Sequence, residues 1–226
     1  MKNVSFKIFP IAPSKGLNPK IVKQQFIWRK CGRYDGDSTV QAGEVLEPVW
    51  WNRPLNSNNP YKKEADGIWS YNLPFLYAHE DFKTGYNILV NKNSIPLIIQ
   101  LKLDPTWDYP SKYQTKLQNL AIKGVYNALI ELGVNSSKLK VIRNDILYNG
   151  KKFMGTEEVF RYGYYVSCSI ITLNYSDEKE IFSRLTGKYA LARGITGIIE
   201  ETNLFTKEQF RNKVLEKIKE ILDEIP

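Results

Sequence analysis

Residues 143–157 read RNDILYNGKKFMGTE and carry the strongest local folding signal in the chain. The apolar run at residues 146–148 predicts a short strand. The Asn149-Gly150 pair that follows predicts a type I′ hairpin turn, because both central positions of that turn require a positive φ. Lys151 and Lys152 open the return strand. Gly155 is expected to break that strand where a side chain would block the close approach of a backbone or a ligand.

This hairpin holds two lysines, an Asn-Asp pair and a glycine within a few residues of one another. Such a set of side chains could bind a carboxylate or a phosphate. A solvated hairpin with basic residues that favour solubility explains the same residues, and it is the commoner case. From the spacing alone, both interpretations stay open.

Composition excludes a disordered chain and favours a globular one. The chain has 226 residues, with 13% aromatic residues and a net charge of +8, which fits one α+β domain with a substantial core. The positive charge permits nucleic acid, a nucleotide or an acidic carrier protein as partner. Cys31 and Cys168 lie far apart, and His79 is the one histidine, so no metal-ligand spacing is present. Two unpaired cysteines and no signal peptide predict a cytoplasmic protein, and no apolar run approaches the ~18 residues that a membrane span needs.

Hydrophobic periodicity predicts a mainly antiparallel or mixed sheet with helices packed on one face, an α+β fold. A single helix is expected over residues 110–132, begun by Pro110 and ended by Gly133. A short helix is expected over 177–186, and a final helix begins at Thr206, where Gln209 completes a capping box. Residues 31–80 are expected to be the least regular part. Strands are expected near residue 6 and over residues 26–28, 45–51, 87–91, 95–103 and 164–173.

Three segments resemble the lipoate–protein ligase A-like family of the biotin/lipoate ligase superfamily. The helix that ends in YNALIELGV, residues 126–134, is similar to the family's helix closing on Leu-Gly-Val. Residues 143–155 resemble its Arg-Asn-Asp signature, with a turn, Gly-Lys-Lys and a further glycine. Residues 193–196 and 205–210 resemble its Arg-x-x-Thr turn and its capped final helix. The resemblance covers about residues 95–222 and implies a single catalytic domain over 1–226, divergent over 1–80, with no C-terminal accessory domain.

The resemblance implies a two-step reaction. Lipoate or octanoate would be activated by ATP with Mg²⁺, and the acyl group would pass to a lysine of an acceptor lipoyl domain; a separate protein can supply the accessory domain. Lys152 matches the family's catalytic lysine, and an ammonium there can balance the charge that develops on phosphate and acyl oxygens. The remaining positions follow from the match. Asn144, Asp145 and Lys151 would bind nucleotide or phosphate, Asp145 would also bind the metal, and Gly85, Gly150, Gly155 and Thr156 would contact the acyl ligand.

One segment departs from the family pattern. The family's glycine-rich loop corresponds to residues 81–87, DFKTGYN, where Gly85 is the one glycine and Tyr86 and Asn87 add bulk. An alternative is therefore a homologue that keeps the fold but binds a protein, nucleic acid or another small acid. The Glu157-Glu158 pair is expected to place acidic groups near the site. Acyl transfer through Cys168 is a third possibility, although a buried structural cysteine is expected there.

Overall fold

A seven-stranded sheet dominates the computed structural model, which describes residues 1, 3–11, 38–45, 49–51, 62–63, 68–70, 78–79, 88–90, 93–104, 112–161, 163–175 and 194–225. Its strands lie in the order β1-β2-β8-β12-β11-β10-β9. Their bounds are β1 Ser5–Ile11, β2 Thr39–Val45, β8 Ser94–Lys102, β9 Leu139–Ile142, β10 Asp145–Tyr148, β11 Lys151–Arg161 and β12 Tyr164–Thr172. The β1–β2 pair is parallel, and every other neighbouring pair in this sheet is antiparallel.

Two smaller sheets lie between β2 and β8 in sequence. One pairs β3 with β7, and the other has the order β4-β5-β6. Their bounds are β3 Val49–Trp51, β4 Lys62–Lys63, β5 Ile68–Ser70, β6 Ala78–His79 and β7 Ile88–Val90. The irregular character expected for residues 31–80 is thus interrupted by β2, β4, β5 and β6, none of which the sequence predicted. The single strand expected over 45–51 is wrong, because β2 ends at Val45 and β3 begins at Val49.

The helices pack on one face of the large sheet. They are α1 Lys112–Leu117, α2 Leu120–Glu131, α3 Ile198–Thr202 and α4 Lys207–Asp223, with a 3-10 turn at Ser136–Lys138. The side chains of β8 that face them alternate along the strand and are at most 1% exposed, namely Ile95, Leu97, Ile99 and Leu101. Helices α2 and α4 contact each other and strands β2, β10 and β12. The predicted α+β architecture is confirmed.

The single helix expected over residues 110–132 is wrong in one respect. It divides into α1 and α2 because Asn119 adopts the left-handed conformation, with φ of 59°, which interrupts the helical backbone. Gly133 ends α2 as predicted, with φ of +88°. Gly124 lies where α2 meets α4, and a Cβ added there would be 2.4 Å from Cγ1 of Ile218.

The final helix begins as the sequence predicts. Thr206 accepts from the N–H of Gln209 at 3.2 Å, and the Gln209 side chain accepts from the N–H of Thr206 at 2.8 Å. The reading missed α3, which precedes this helix. The helix expected over 177–186 and the strand expected over 26–28 lie outside the described residues.

Candidate functional site

Strands β9, β10 and β11 form a meander with two tight turns. Arg143 and Asn144 join β9 to β10, and Asn149 and Gly150 join β10 to β11. Both residues of the second turn have positive φ, 48° and 80°, as a type I′ turn requires. The predicted hairpin of β10 and β11 is therefore confirmed. The two turns of the meander lie at opposite ends of β10.

A bulge interrupts the pairing of β10 with β11. Ile146 pairs with Met154 and Leu147 pairs with Lys152, so Phe153 is an extra residue on β11. In a regular strand, residues three apart point to opposite faces. The extra residue reverses this parity, so Lys152 comes to the same face as Gly155. Phe153 and Met154 are at the same time both buried, at 1% and 0% exposure.

Lys152, Asp145 and Gly155 form the centre of the candidate site. The Nζ of Lys152 lies 2.7 Å from Oδ1 of Asp145, and the two side chains are 38% and 20% exposed. Gly155 is the pairing partner of Asp145, and a Cβ added to it would lie 2.7 Å from that Nζ and 3.4 Å from that oxygen. Gly155 does not break β11, which continues to Arg161. It leaves room instead for the lysine side chain to reach the carboxylate.

The main chain of Lys152 is held from its other side by residues 194–196. Its N–H donates to the carbonyl of Gly194 at 3.1 Å, and its carbonyl accepts from the N–H of Thr196 at 2.9 Å. Lys152 and Ile195 form a parallel bridge. Residues 194–196 of the predicted Arg-x-x-Thr turn therefore meet the hairpin at Lys152, and Arg193 lies outside the described residues.

Lys151 is directed away from this centre. Its Nζ lies 3.4 Å from Oε1 of Glu201, a residue of α3, and its side chain is 54% exposed. The same Oε1 accepts from the hydroxyl of Thr196 at 2.6 Å. The Thr196 hydroxyl, assisted by the Lys151 ammonium, lowers the pKa of Glu201. The two adjacent lysines thus have different carboxylate partners.

Thr156 lies on the opposite face of the sheet from Gly155 and is buried. Its hydroxyl accepts from Ser169 at 2.6 Å and lies 3.1 Å from the Ser167 hydroxyl. The structure therefore does not bring the Thr156 side chain together with Lys152, Asp145 and Gly155. Its main chain still supports the site, because the N–H of Thr156 donates to the carbonyl of Asn144 at 2.8 Å.

Glu158 also lies away from the site, so the expectation for the Glu157-Glu158 pair is wrong for Glu158, and the side chain of Glu157 lies outside the described residues. Its carboxylate accepts from the N–H of Asn119, with distances of 3.1 and 2.9 Å to its two oxygens, at the start of α2. It also accepts from the hydroxyl of buried Tyr165 at 2.9 Å. Burial, followed by the negative charge of Glu158, holds the pKa of Tyr165 well above its ordinary value. The Tyr165 hydroxyl therefore remains a donor, and Glu158 acts as a cap for α2.

Some of the remaining predicted positions are described by the structure and others are not. Asn144 and Gly150 are exposed in their turns, at the two ends of β10. Gly85 and Cys31 lie outside the described residues, as do the side chains of Cys168 and His79. Glu201 and the pair Ser167 and Ser169 were missed. Ser167 and Ser169 alternate along β12, and this spacing could have indicated that both face Thr156. No feature of the neighbouring sequence connects Glu201 to Lys151.

The described residues contain neither a metal-binding cluster nor a membrane-crossing helix. No group of three or more His, Cys, Asp or Glu side chains among them is placed to hold a metal ion. None of the helices that the structure describes has both the length and the apolar character for crossing a membrane.

Sequence comparison and structure comparison give different results. No family model matches the sequence, and no curated protein matches it. Solved structures do match. The chain is similar to a lipoate-protein ligase A bound with ATP, with 13% identity and a TM-score of 0.63 over 98% of this chain and 85% of that one. It is also similar to a bi-partite lipoate protein ligase from Thermoplasma acidophilum, studied with its E2 lipoyl domain, with 12% identity and a TM-score of 0.61 over 98% and 84%.

Biotin protein ligase from Aquifex aeolicus, in complex with biotin and ATP, matches with 14% identity and a TM-score of 0.51 over 99% of this chain and 72% of that one. At identities this low, the structural similarity establishes the fold alone. The chain thus has the α+β fold of lipoate-protein ligases and biotin protein ligases, as the resemblance over residues 95–222 predicted.

Proposed function

We propose that this protein is an ATP-dependent acyl ligase of the lipoate-protein ligase type. A carboxylate oxygen of lipoate or octanoate would attack the α-phosphorus of ATP, and pyrophosphate would leave. The amine of an acceptor lysine would then attack the carbonyl carbon of the acyl-adenylate, and AMP would leave. The acceptor is proposed to be a lipoyl domain, by analogy with the archaeal ligase that was studied with its E2 lipoyl domain.

The single observation that carries this proposal is the position of the Lys152 ammonium. It lies beside Gly155 on the face of the sheet away from the helices, and it is part exposed. A cation fixed at such a place can stabilise the negative charge that develops on phosphate and acyl oxygens. The absence of a side chain at Gly155 keeps the space above the strand open to that ammonium.

Asp145 is proposed to contribute a metal ligand. Mg²⁺ in nucleotide sites is typically held by one or two carboxylates together with phosphate oxygens and water, so a site with one described carboxylate fits that ion. Mg²⁺ would neutralise phosphate charge. Because Asp145 pairs with Lys152 in the structure, engagement of its carboxylate by a cation would release the ammonium toward the anionic ligand.

Other predicted roles remain proposals. Asn144 would donate its side-chain amide to phosphate, and the exposed ammonium of Lys151 would add positive charge at the rim. Gly85 and Gly150 are proposed to approach the ligand with their backbones, and Thr156 through its main chain. Residues 1–226 are proposed to work as one catalytic domain. The cytoplasmic location stays a prediction from cysteine usage.

The test is the release of pyrophosphate from ATP and Mg²⁺ with lipoate or octanoate, followed by the mass of an apo lipoyl domain. We expect both pyrophosphate release and an acyl mass increase on the acceptor. Lys152→Ala should lower the rate at least about 100-fold, the effect of removing one stabilising charge from an active site. Lys219→Ala, on the exposed side of α4, is the matched control and should leave the rate unchanged.

The alternative function has its own outcome in the same experiment. The one-glycine segment at 81–87 favours a homologue that binds a small acid without activating it. Binding of lipoate in isothermal titration with no pyrophosphate release would support that alternative. No binding of ATP, lipoate or lipoyl-adenylate would reject the ligase proposal.

A further inference from the structure

Glu201 is connected to Lys152 by a short chain of hydrogen bonds. Residues 194–196 bond to both the N–H and the carbonyl of Lys152, at 3.1 and 2.9 Å. Thr196, at the end of that segment, is 3% exposed and donates its hydroxyl to Glu201 at 2.6 Å. Lys151, the neighbour of Lys152, contacts the same carboxylate oxygen. One oxygen of the Glu201 carboxylate therefore contacts both the segment that binds the Lys152 main chain and the residue next to Lys152.

Packing of helix α3 against the end of β12 holds the backbone of Glu201 in place. Gly197, the residue before the helix, packs closely against Leu173. A Cβ added to Gly197 would lie 2.3 Å from the carbonyl oxygen of Leu173. Ile198 is fully buried, and the N–H of Ile199 donates to the same carbonyl at 3.0 Å. The helix cannot shift without breaking these contacts at the end of β12.

The charges around Glu201 keep its carboxylate ionised. Its acceptor oxygen faces the Thr196 hydroxyl and the Lys151 ammonium, and Lys138 adds positive potential from the β9 side. An ionised carboxylate is the stronger hydrogen-bond acceptor. The contacts of Glu201 with Thr196 and Lys151 lie away from the face of the sheet that Lys152 and Gly155 share.

We propose that Glu201 is a positioning residue for Lys152, acting through Thr196 and Lys151, an inference that rests on the proposed role of Lys152 in the ligase reaction. The bulge at Phe153 breaks the regular pairing beside Lys152, so β10 alone does not fix the main chain there. Residues 194–196 replace the missing restraint, and Glu201 holds those residues in place. The contact between the Lys152 ammonium and Asp145 depends on this arrangement.

The experiment measures the accessibility of the Lys152 amine directly and does not need an active enzyme. The full chain is treated briefly with acetic anhydride, and acetylation of each lysine is measured by peptide mass spectrometry. Lys219 is the internal reference. A lysine held against a carboxylate reacts slowly, so loosening the Lys152–Asp145 contact should raise its acetylation rate relative to Lys219.

Three variants separate positioning from general destabilisation. Glu201→Ala should raise relative acetylation of Lys152 about fivefold, the effect of losing roughly one net hydrogen bond. Glu201→Gln should give a rate between those of the parent and Glu201→Ala, because its amide oxygen still accepts from Thr196 but no longer carries the charge that attracts Lys151. Glu200→Ala is the matched control, since its carboxylate accepts instead from the N–H of Tyr175 at 2.6 Å.

A second pair keeps the test decisive if Glu201→Ala does not fold. Thr196→Val should raise Lys152 acetylation, and Thr196→Ser should restore the slow rate by returning the hydroxyl. Unchanged Lys152 acetylation in folded Glu201→Ala or Thr196→Val protein would overturn the proposal, as would an equal rise in Glu200→Ala. Absence of pyrophosphate release by the parent protein would reject the ligase function and leave the labelling result to judge the positioning.

Discussion

Lys152 and Gly155 share one face of the sheet although they lie three residues apart on one strand. The extra residue at Phe153 reverses the alternation of side chains between them. The lysine ammonium consequently occupies the space that a Cβ at Gly155 would take. The need for glycine at this position is therefore one of space for the charged group and does not come from the backbone conformation.

Gly155→Ala should lower ligase activity and leave the fold intact. The added Cβ would lie 2.7 Å from Nζ and 2.9 Å from Cε of Lys152, the far end of a flexible side chain that can move away. The ammonium would then leave Asp145 and the ligand position. We expect a loss of pyrophosphate release with little change in Tm.

Gly163→Ala is the control for this variant, because it lies between β11 and β12, away from the site. Its φ of +75° makes alanine strained, while nothing lies within 4 Å of the added Cβ. Its stability should fall by about 1 kcal/mol with unchanged specific activity. Equal activity of Gly155→Ala and the parent would show that the ammonium does not need its present position.

Gly124→Ala should destabilise the contact between α2 and α4. Alanine favours a helix over glycine by about 1 kcal/mol, but its Cβ would lie 2.4 Å from Cγ1 of Ile218. Overpacking of this kind costs about 1–3 kcal/mol, so the clash should exceed the gain in helix propensity. The free energy of unfolding in urea measures the result.

The double variant Gly124→Ala with Ile218→Ala tests the cause. If the clash is responsible, its cost should be smaller than the sum of the single costs by more than about 0.5 kcal/mol. Simple additivity would mean that the glycine affects stability by some other route.

Glu158→Ala should destabilise the protein by about 1–3 kcal/mol, because two groups lose their acceptor. These are the N–H of Asn119 at the start of α2 and the buried hydroxyl of Tyr165. The urea midpoint of unfolding is the measurement. Glu216→Ala, which removes an exposed contact with Lys213, should cost less than about 1 kcal/mol. A cost for Glu158→Ala no greater than that of Glu216→Ala would contradict its role as a cap.

Glu131 should make stability depend on pH in the acid range. Its carboxylate contacts Lys213 at 2.7 Å and also Lys217, and these contacts, Lys213 first, lower its pKa. A carboxyl whose pKa is lower in the folded state stabilises the protein above its unfolded pKa, and that contribution is lost as the pH falls through the folded pKa. The urea midpoint of the parent should therefore approach that of Glu131→Gln as the pH falls below the ordinary pKa of a glutamate and through the lower pKa of Glu131.

Glu224→Gln, near the exposed end of α4, is the control for this pH series. Its difference from the parent should remain small throughout. A difference between the parent and Glu131→Gln that stays constant with pH would exclude the ion pairs as its source.

Local chemistry was sufficient for the elements that depend on neighbouring residues. The positive φ required at Asn149 and Gly150 located the hairpin, and Thr206 with Gln209 located the start of α4. The same reasoning placed Lys152, Asp145 and Gly155 in one hairpin. The prediction of one continuous helix failed at Asn119. A left-handed residue there interrupts the helix without changing the spacing of the apolar residues.

Long-range packing decided which side chains meet. Burial of both Phe153 and Met154 in the core accompanies the bulge that brings Lys152 beside Gly155, and strand parity places Thr156 on the helix side. Glu201 reaches Lys151 from about fifty residues away along the chain. Turns and caps are read from adjacent residues because their hydrogen bonds close within a few positions. The face of a strand and the partner of a charge depend on contacts that form only when distant segments pack together.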